Sequence, residues 1–140
     1  MGMIGEKCML AISNFITKDF VWGQTDCTMF IAEHLDSLLG TELVKEYRGQ
    51  WDSLMSAVKY SRDNQVSVES ILRNHCESIE WGYEQDGDVF ITNDPEAPLL
   101  SRDSNGIVFG GRLFFMTTDG LCAAPLSSIP EPAGVYRCHR

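Results

Sequence analysis

Residues 20–27 read "FVWGQTDC" and run directly into residues 28–39, "TMFIAEHLDSLL". From Cys27 onward, Cys27, Phe30, Ile31, His34, Leu35 and Leu38 recur at i, i+3, i+4, i+7, i+8 and i+11, which is one stripe of an amphipathic helix. Asp26 is placed to cap its N-terminus, and Gly40 suits the left-handed position after its last turn. A thiol at such a helix start is favoured as thiolate by the first-turn N–H groups and the helix dipole. Cys27 is therefore the best nucleophile candidate among the five cysteines, although Asp26 opposes its ionisation unless the carboxylate is occupied in capping. The competing reading is a small buried residue.

Outward from this helix the chain divides in texture. The first half carries helical periodicity and the second half short β-prone runs, the segregated order of an α+β domain, here one domain over residues 1–140. Cys8, Ile12, Phe15 and Ile16 predict a first helix over 5–17. Thr41 opens a short helix through Lys45, followed by the irregular "YRGQW". Asp52 or Ser53 caps a helix reaching about Tyr60, and "RDNQ" turns the chain. Ser67 caps the next helix, with Val68, Ile71, Leu72, His75 and Cys76 on its apolar face. Beyond Ile79 come "DVFIT", "GIVF", "RLFFMT", "LCAA" and "VYRC". Gly110-Gly111 signals a hairpin, and Pro125, Pro130 and Pro132 confine regular structure near the C-terminus to sheet edges. The segment from Asp94 to Asn105 is the expected mobile loop.

Composition narrows the function classes. With 140 residues, 44% hydrophobic and 22% charged, the chain has ordinary globular usage and can bury a core. Its net charge of −9 repels phosphate backbones, so nucleic acid is not an expected partner. No run is long and apolar enough to span a membrane, and no signal peptide is evident. Cysteines 8, 27, 76, 122 and 138 form no C-x-x-C pair. They are read as reduced thiols of a chain made in a cytoplasm, with no zinc site. Glu84, Asp86 and Asp88 lack calcium-loop spacing, so no metal and no cofactor is expected.

Three stretches together carry a resemblance. Phe20-Val21-Trp22-Gly23 followed by Asp26-Cys27 resembles the nucleophile segment of the NlpC-type, papain-like cell-wall endopeptidases. Gly87-Asp88-Val89-Phe90-Ile91 is similar to the strand that begins that family's sheet, and "GIVFGGRLFFMTTDGL" to its strand, tight turn and strand. The resemblance implies a papain-like fold, N-terminal helices packed on a C-terminal antiparallel sheet. The compact W-G-x-x-D-C spacing, the "YRG" and the length look most like small proteins encoded in phage tail modules. Such relatives imply a virion (tail) location after synthesis in the bacterial cytoplasm, with other virion or tail proteins, or further copies of the chain, as partners.

The same comparison locates what is missing. A cysteine peptidase needs a base within hydrogen-bond reach of the thiol, itself oriented by a third group. The resemblance puts the base near Ser104 or Asn105 and its orienting residue near Phe115 to Thr117, and no histidine stands at either place. Phe20 stands where the family's oxyanion tyrosine is expected, with Gln24 the nearby amide that could donate instead. His34 lies about 10 Å along the helix from Cys27 and reads as a core histidine. His139 sits at the terminus, and His75 is the remaining candidate base. Trp22 lines the expected site and, like Trp51, reads as a packing anchor. Arg48-Gly49 reads as a structural turn with a clamping guanidinium, and Asp88 as a tie at the start of the sheet.

Two functions follow from this reading, with a third class beside them. One is a tail-associated structural protein whose catalytic machinery is degenerate. The alternative is an active cysteine hydrolase cutting peptidoglycan stem peptides through Cys27. The third is a binding module that reuses the former cleft.

Overall fold

The computed structural model of the chain describes residues 2–93 and 103–138, with side chains over 6–92 and 105–138. Five helices come first: α1 (Gly2–Phe15), α2 (Cys27–Leu39), α3 (Leu43–Tyr47), α4 (Leu54–Asn64) and α5 (Val68–His75). The strands follow: β1 (Glu77–Ser78), β2 (Val89–Asn93), β3 (Asp103–Phe109), β4 (Arg112–Thr117), β5 (Gly120–Pro125) and β6 (Gly134–Arg137). They form one antiparallel sheet in the order β1-β6-β2-β3-β4-β5. The protein is thus an α+β fold with N-terminal helices and a C-terminal antiparallel sheet.

The centre of the fold is α2. Asp26 caps it by accepting from Met29 N at 2.9 Å, and Gly40 ends it at φ 72°. Met29 and Ala32, outside the expected stripe, are buried along with Phe30, Ile31, His34 and Leu35, because α1, α3, β3 and β4 surround this helix. A helix enclosed by several elements needs apolar residues on more than one face. Phe15 of α1 meets Phe30 with ring centroids 5.1 Å apart. Ile16, expected on the buried face of α1, lies just past the helix end and is exposed.

α4 runs four residues beyond its expected end. Ser53 and Ser56 form a capping box, the Lys59–Asp63 pair at 2.8 Å supports the last turn, and Gln65 at φ 52° stops it. Ser67 caps α5 in the same way through Ser70. His75, expected on the apolar face of α5, is exposed instead.

Strand side chains alternate between two layers, as a period of two requires. Val89, Ile91, Ile107, Met116 and Tyr136 face the helices. Phe90, Val108, Leu113 and Val135 form a smaller cluster on the other face, covered by Leu126 and Ile129 around a 3-10 turn at Leu126–Ser128. Gly110 and Gly111, at φ 60° and 76°, make the two-residue hairpin between β3 and β4. Pro125 ends the edge strand β5 as expected, but β6 is not an edge strand: it inserts between β1 and β2. The two prolines before it lie outside the strand, so its ladder N–H groups are intact. Asp88, buried at the start of β2, holds Arg137 of β6 through two contacts of 3.1 and 2.9 Å.

The expectation of five free thiols is overturned. Cys76 and Cys138 form a disulfide across 62 residues. The register explains it: Glu77 pairs with Arg137, which sets the preceding and following cysteines opposite each other, a proximity created by the sheet and invisible in the spacing. Cys8, Cys27 and Cys122 are free thiols. Of the other expectations, residues 94–102 of the proposed loop and His139 lie outside the described residues, as does the side chain of Ser104. Among the described residues no helix is long and apolar enough to cross a membrane.

Candidate functional site

The turn before α2 is held by one buried carboxylate. Besides capping through Oδ1, Asp26 accepts at Oδ2 from Gly23 N and from Trp51 Nε1, both at 2.7 Å. The side chain of Trp51, 25 residues away, is thereby fixed against the helix start. Gly23 sits at φ 77°, where a Cβ would lie 1.9 Å from the Trp51 carbonyl oxygen, so the turn admits no side chain. Gly49 closes the arrangement by donating its N–H to Gly23 O at 2.9 Å. The role foreseen for Arg48 falls instead to this backbone contact: its side chain is exposed and forms no ion pair among the described residues.

Beside this turn lies a cavity of about 90 Å³. Cys27 and Thr28 at the start of α2, Asn105 of β3, Ser61 of α4 and Ser67 line it together with aromatic rings from Trp22, Tyr47, Trp51 and Tyr60. Tyr60 packs on Trp51 with ring centroids 5.3 Å apart, and Tyr47 meets both rings. Asn105 is 2% exposed, and its Oδ1 has no hydrogen-bond partner.

Burial, reinforced by the Asp26 charge, pushes Cys27 up from 9.0 to about 12, against the lowering effect of hydrogen bonds with Thr28. Burial and a neighbouring carboxylate both disfavour the thiolate, in opposition to the first-turn N–H groups of α2. Among the described residues no histidine lines the cavity. His34 is buried, with Nε2 2.9 Å from Gly87 O, and exposed His75 ends α5 away from the cavity wall. The positions foreseen for an orienting group do not supply one. Phe115 packs toward the other face of the sheet, Met116 is core, and Thr117 donates its hydroxyl to Gly120 O at 2.9 Å.

Of the residues singled out from sequence, Trp22, Cys27 and Asn105 thus share one cavity. Phe20 stands edge-on to Trp22 at 4.9 Å without lining it, and Gln24 is exposed on a separate surface near Glu33 and Arg48. Tyr47, Trp51, Tyr60, Ser61 and Ser67 were not foreseen as cavity lining. The available signal was the interrupted "YRGQW" between two helices, an aromatic-rich break that exists to pack against something. No group of three or more His, Cys, Asp or Glu is placed to hold a metal ion among the described residues.

No curated protein matches the chain. A family model described as a domain of unknown function, DUF6950, matches residues 6–131, and the chain belongs to that family.

Proposed function

We propose that this protein is a structural component of a phage tail, built on an NlpC-type papain-like scaffold whose peptidase machinery is degenerate. The observation that carries the reading is Asn105. It stands on β3 at the place where the resemblance expects a histidine, and it lines the same cavity as Cys27. An amide cannot accept a proton at neutral pH, so it cannot serve as the general base that a cysteine nucleophile requires. The thiol, pushed up to about 12, supplies almost no thiolate by itself. The disulfide supports a life outside a reducing cytoplasm, since such pairs persist on virions and in other oxidising settings.

The test is genetic and biochemical together. Phage carrying Cys27→Ala are expected to assemble and infect normally, and peptide mapping of purified particles is expected to find the chain. Normal particles with a large loss of infectivity, or new amine termini released from peptidoglycan by the purified wild-type protein, would overturn the proposal in favour of hydrolysis.

A further inference from the structure

The cavity beside Cys27 has a polarity that its lost chemistry does not explain. Asn105 Oδ1 is an acceptor within the protein, buried and without a partner, and such groups cost free energy unless something donates to them. The charged group in the wall is the Asp26 carboxylate, which already accepts three N–H groups and has a fourth lone-pair site to offer. Ser61 Oγ gives its proton to Val66 O, so towards the cavity it can only accept. No Lys, Arg or His lines the cavity among the described residues. Rings of Tyr47, Trp51 and Tyr60 line it together with the aliphatic Ala57, Val66, Val68 and Ile71, and aromatic faces attract cations.

From this juxtaposition of a buried orphan acceptor, an adjacent carboxylate and an aromatic wall, we infer that the cavity binds a primary alkylammonium group. The volume admits a short alkyl stem and its ammonium head but not a folded peptide. The head donates to Asn105 Oδ1 and lies within the field of Asp26, while the stem packs on the rings. Free amines and a lysine side chain presented by a neighbouring protein share this chemistry. The net charge of −9 favours either over an anionic ligand. The inference rests on the non-catalytic reading of the cavity but not on its location in a tail.

The experiment titrates n-butylammonium chloride into the full-length protein at neutral pH and constant ionic strength, following the Trp51 indole and Asn105 side-chain amide resonances. Parallel titrations use n-butanol, sodium butyrate and Nα-acetyl-lysine methylamide. Saturable shifts at both reporters with butylammonium, and none with butyrate, are expected. The lysine derivative distinguishes the sources: binding as tight as butylammonium identifies a presented side chain, and exclusion identifies a free amine. Asn105→Leu is expected to weaken butylammonium binding at least about tenfold, the loss of one charge-assisted hydrogen bond. Equal binding of butanol, saturation by butyrate, absence of saturation with butylammonium, or unchanged affinity in a folded Asn105→Leu variant would overturn the inference. Butylammonium has no bond for a hydrolase to cut, so its binding is scored separately from amine release by peptidoglycan.

Discussion

Asp26 is the residue on which the site geometry depends. Its two oxygens satisfy Met29 N, Gly23 N and Trp51 Nε1 in a buried setting. Asp26→Ala strands all three donors and removes the cap of α2, for an expected loss of about 3–5 kcal/mol in urea denaturation. Asp26→Asn is not a rescue, because its NH₂ group would face at least one of the same donors, and it should lose more than about 2 kcal/mol. A loss below about 1 kcal/mol in both variants would contradict this account of the turn. Gly23→Ala is expected to cost about 2–5 kcal/mol, from strain at φ 77° and collision with the Trp51 carbonyl. The capping role of Asp26 was legible, since an acidic residue before an apolar stripe is a local signal. Its bond to Trp51 was not, because nothing in the spacing says which residue 25 positions on will return to it. The environment of Cys27 divides in the same way: the helix start is local and can be read from position, whereas the burial that pushes its thiol up is set by distant walls.

Among the elements, legibility followed the range of the signal. Caps at Asp26 and Ser67 and the Gly110-Gly111 hairpin are written within four residues of where they act and are legible, and of the two caps offered for α4, Asp52 and Ser53, the structure uses Ser53. The end of α4 was placed too early because "RDN" is as compatible with a last helical turn as with a loop, and the Lys59–Asp63 pair tips it to helix. The interior position of β6 depends on β1, two residues long and too short to leave a pattern. From that pairing comes the disulfide, which joins the end of α5 to the end of β6. Closing a loop of this length restricts the unfolded chain by about 4 kcal/mol in the chain-entropy account. The double variant Cys76→Ser, Cys138→Ser is therefore expected to lose about that much stability. Its thermal midpoint should not respond to reductant, whereas the wild-type midpoint falls. Equal midpoints for oxidised wild type and the double variant would contradict the pairing.

For the molecule as a whole, the helix-then-sheet order was readable from texture, and the enclosure of α2 that makes it one packed body was not. Burial of thiols gives a pH dependence with a definite sign. Cys27 is raised to about 12 and Cys8, by burial and then by Asp86 and Asp88, to about 11, both from 9.0. Above pH 9 the unfolded chain loses these protons while the folded chain keeps them, so stability is fully present below 9 and falls as pH rises toward 11 and 12. Cys27 contributes a slope of at most about 1.4 kcal/mol per pH unit in that window. The difference between the urea midpoints of wild type and Cys27→Ala should be constant near neutrality and shift above pH 9 to the disadvantage of wild type. Parallel midpoints up to pH 11 would show that the thiol ionises as easily folded as unfolded.

We propose that Cys27 stands in a nucleophile's place without a nucleophile's activation. The most direct test is the rate of iodoacetamide alkylation of Cys27, read by peptide mass spectrometry from about pH 5 to 9, where a lone thiol with a raised pKa and a base-assisted thiolate behave differently. The account predicts a rate rising about tenfold per pH unit across the whole range, with no plateau. A plateau reached at or below neutral pH would contradict it, since only a thiolate stabilised by an undetected base or cation levels off there.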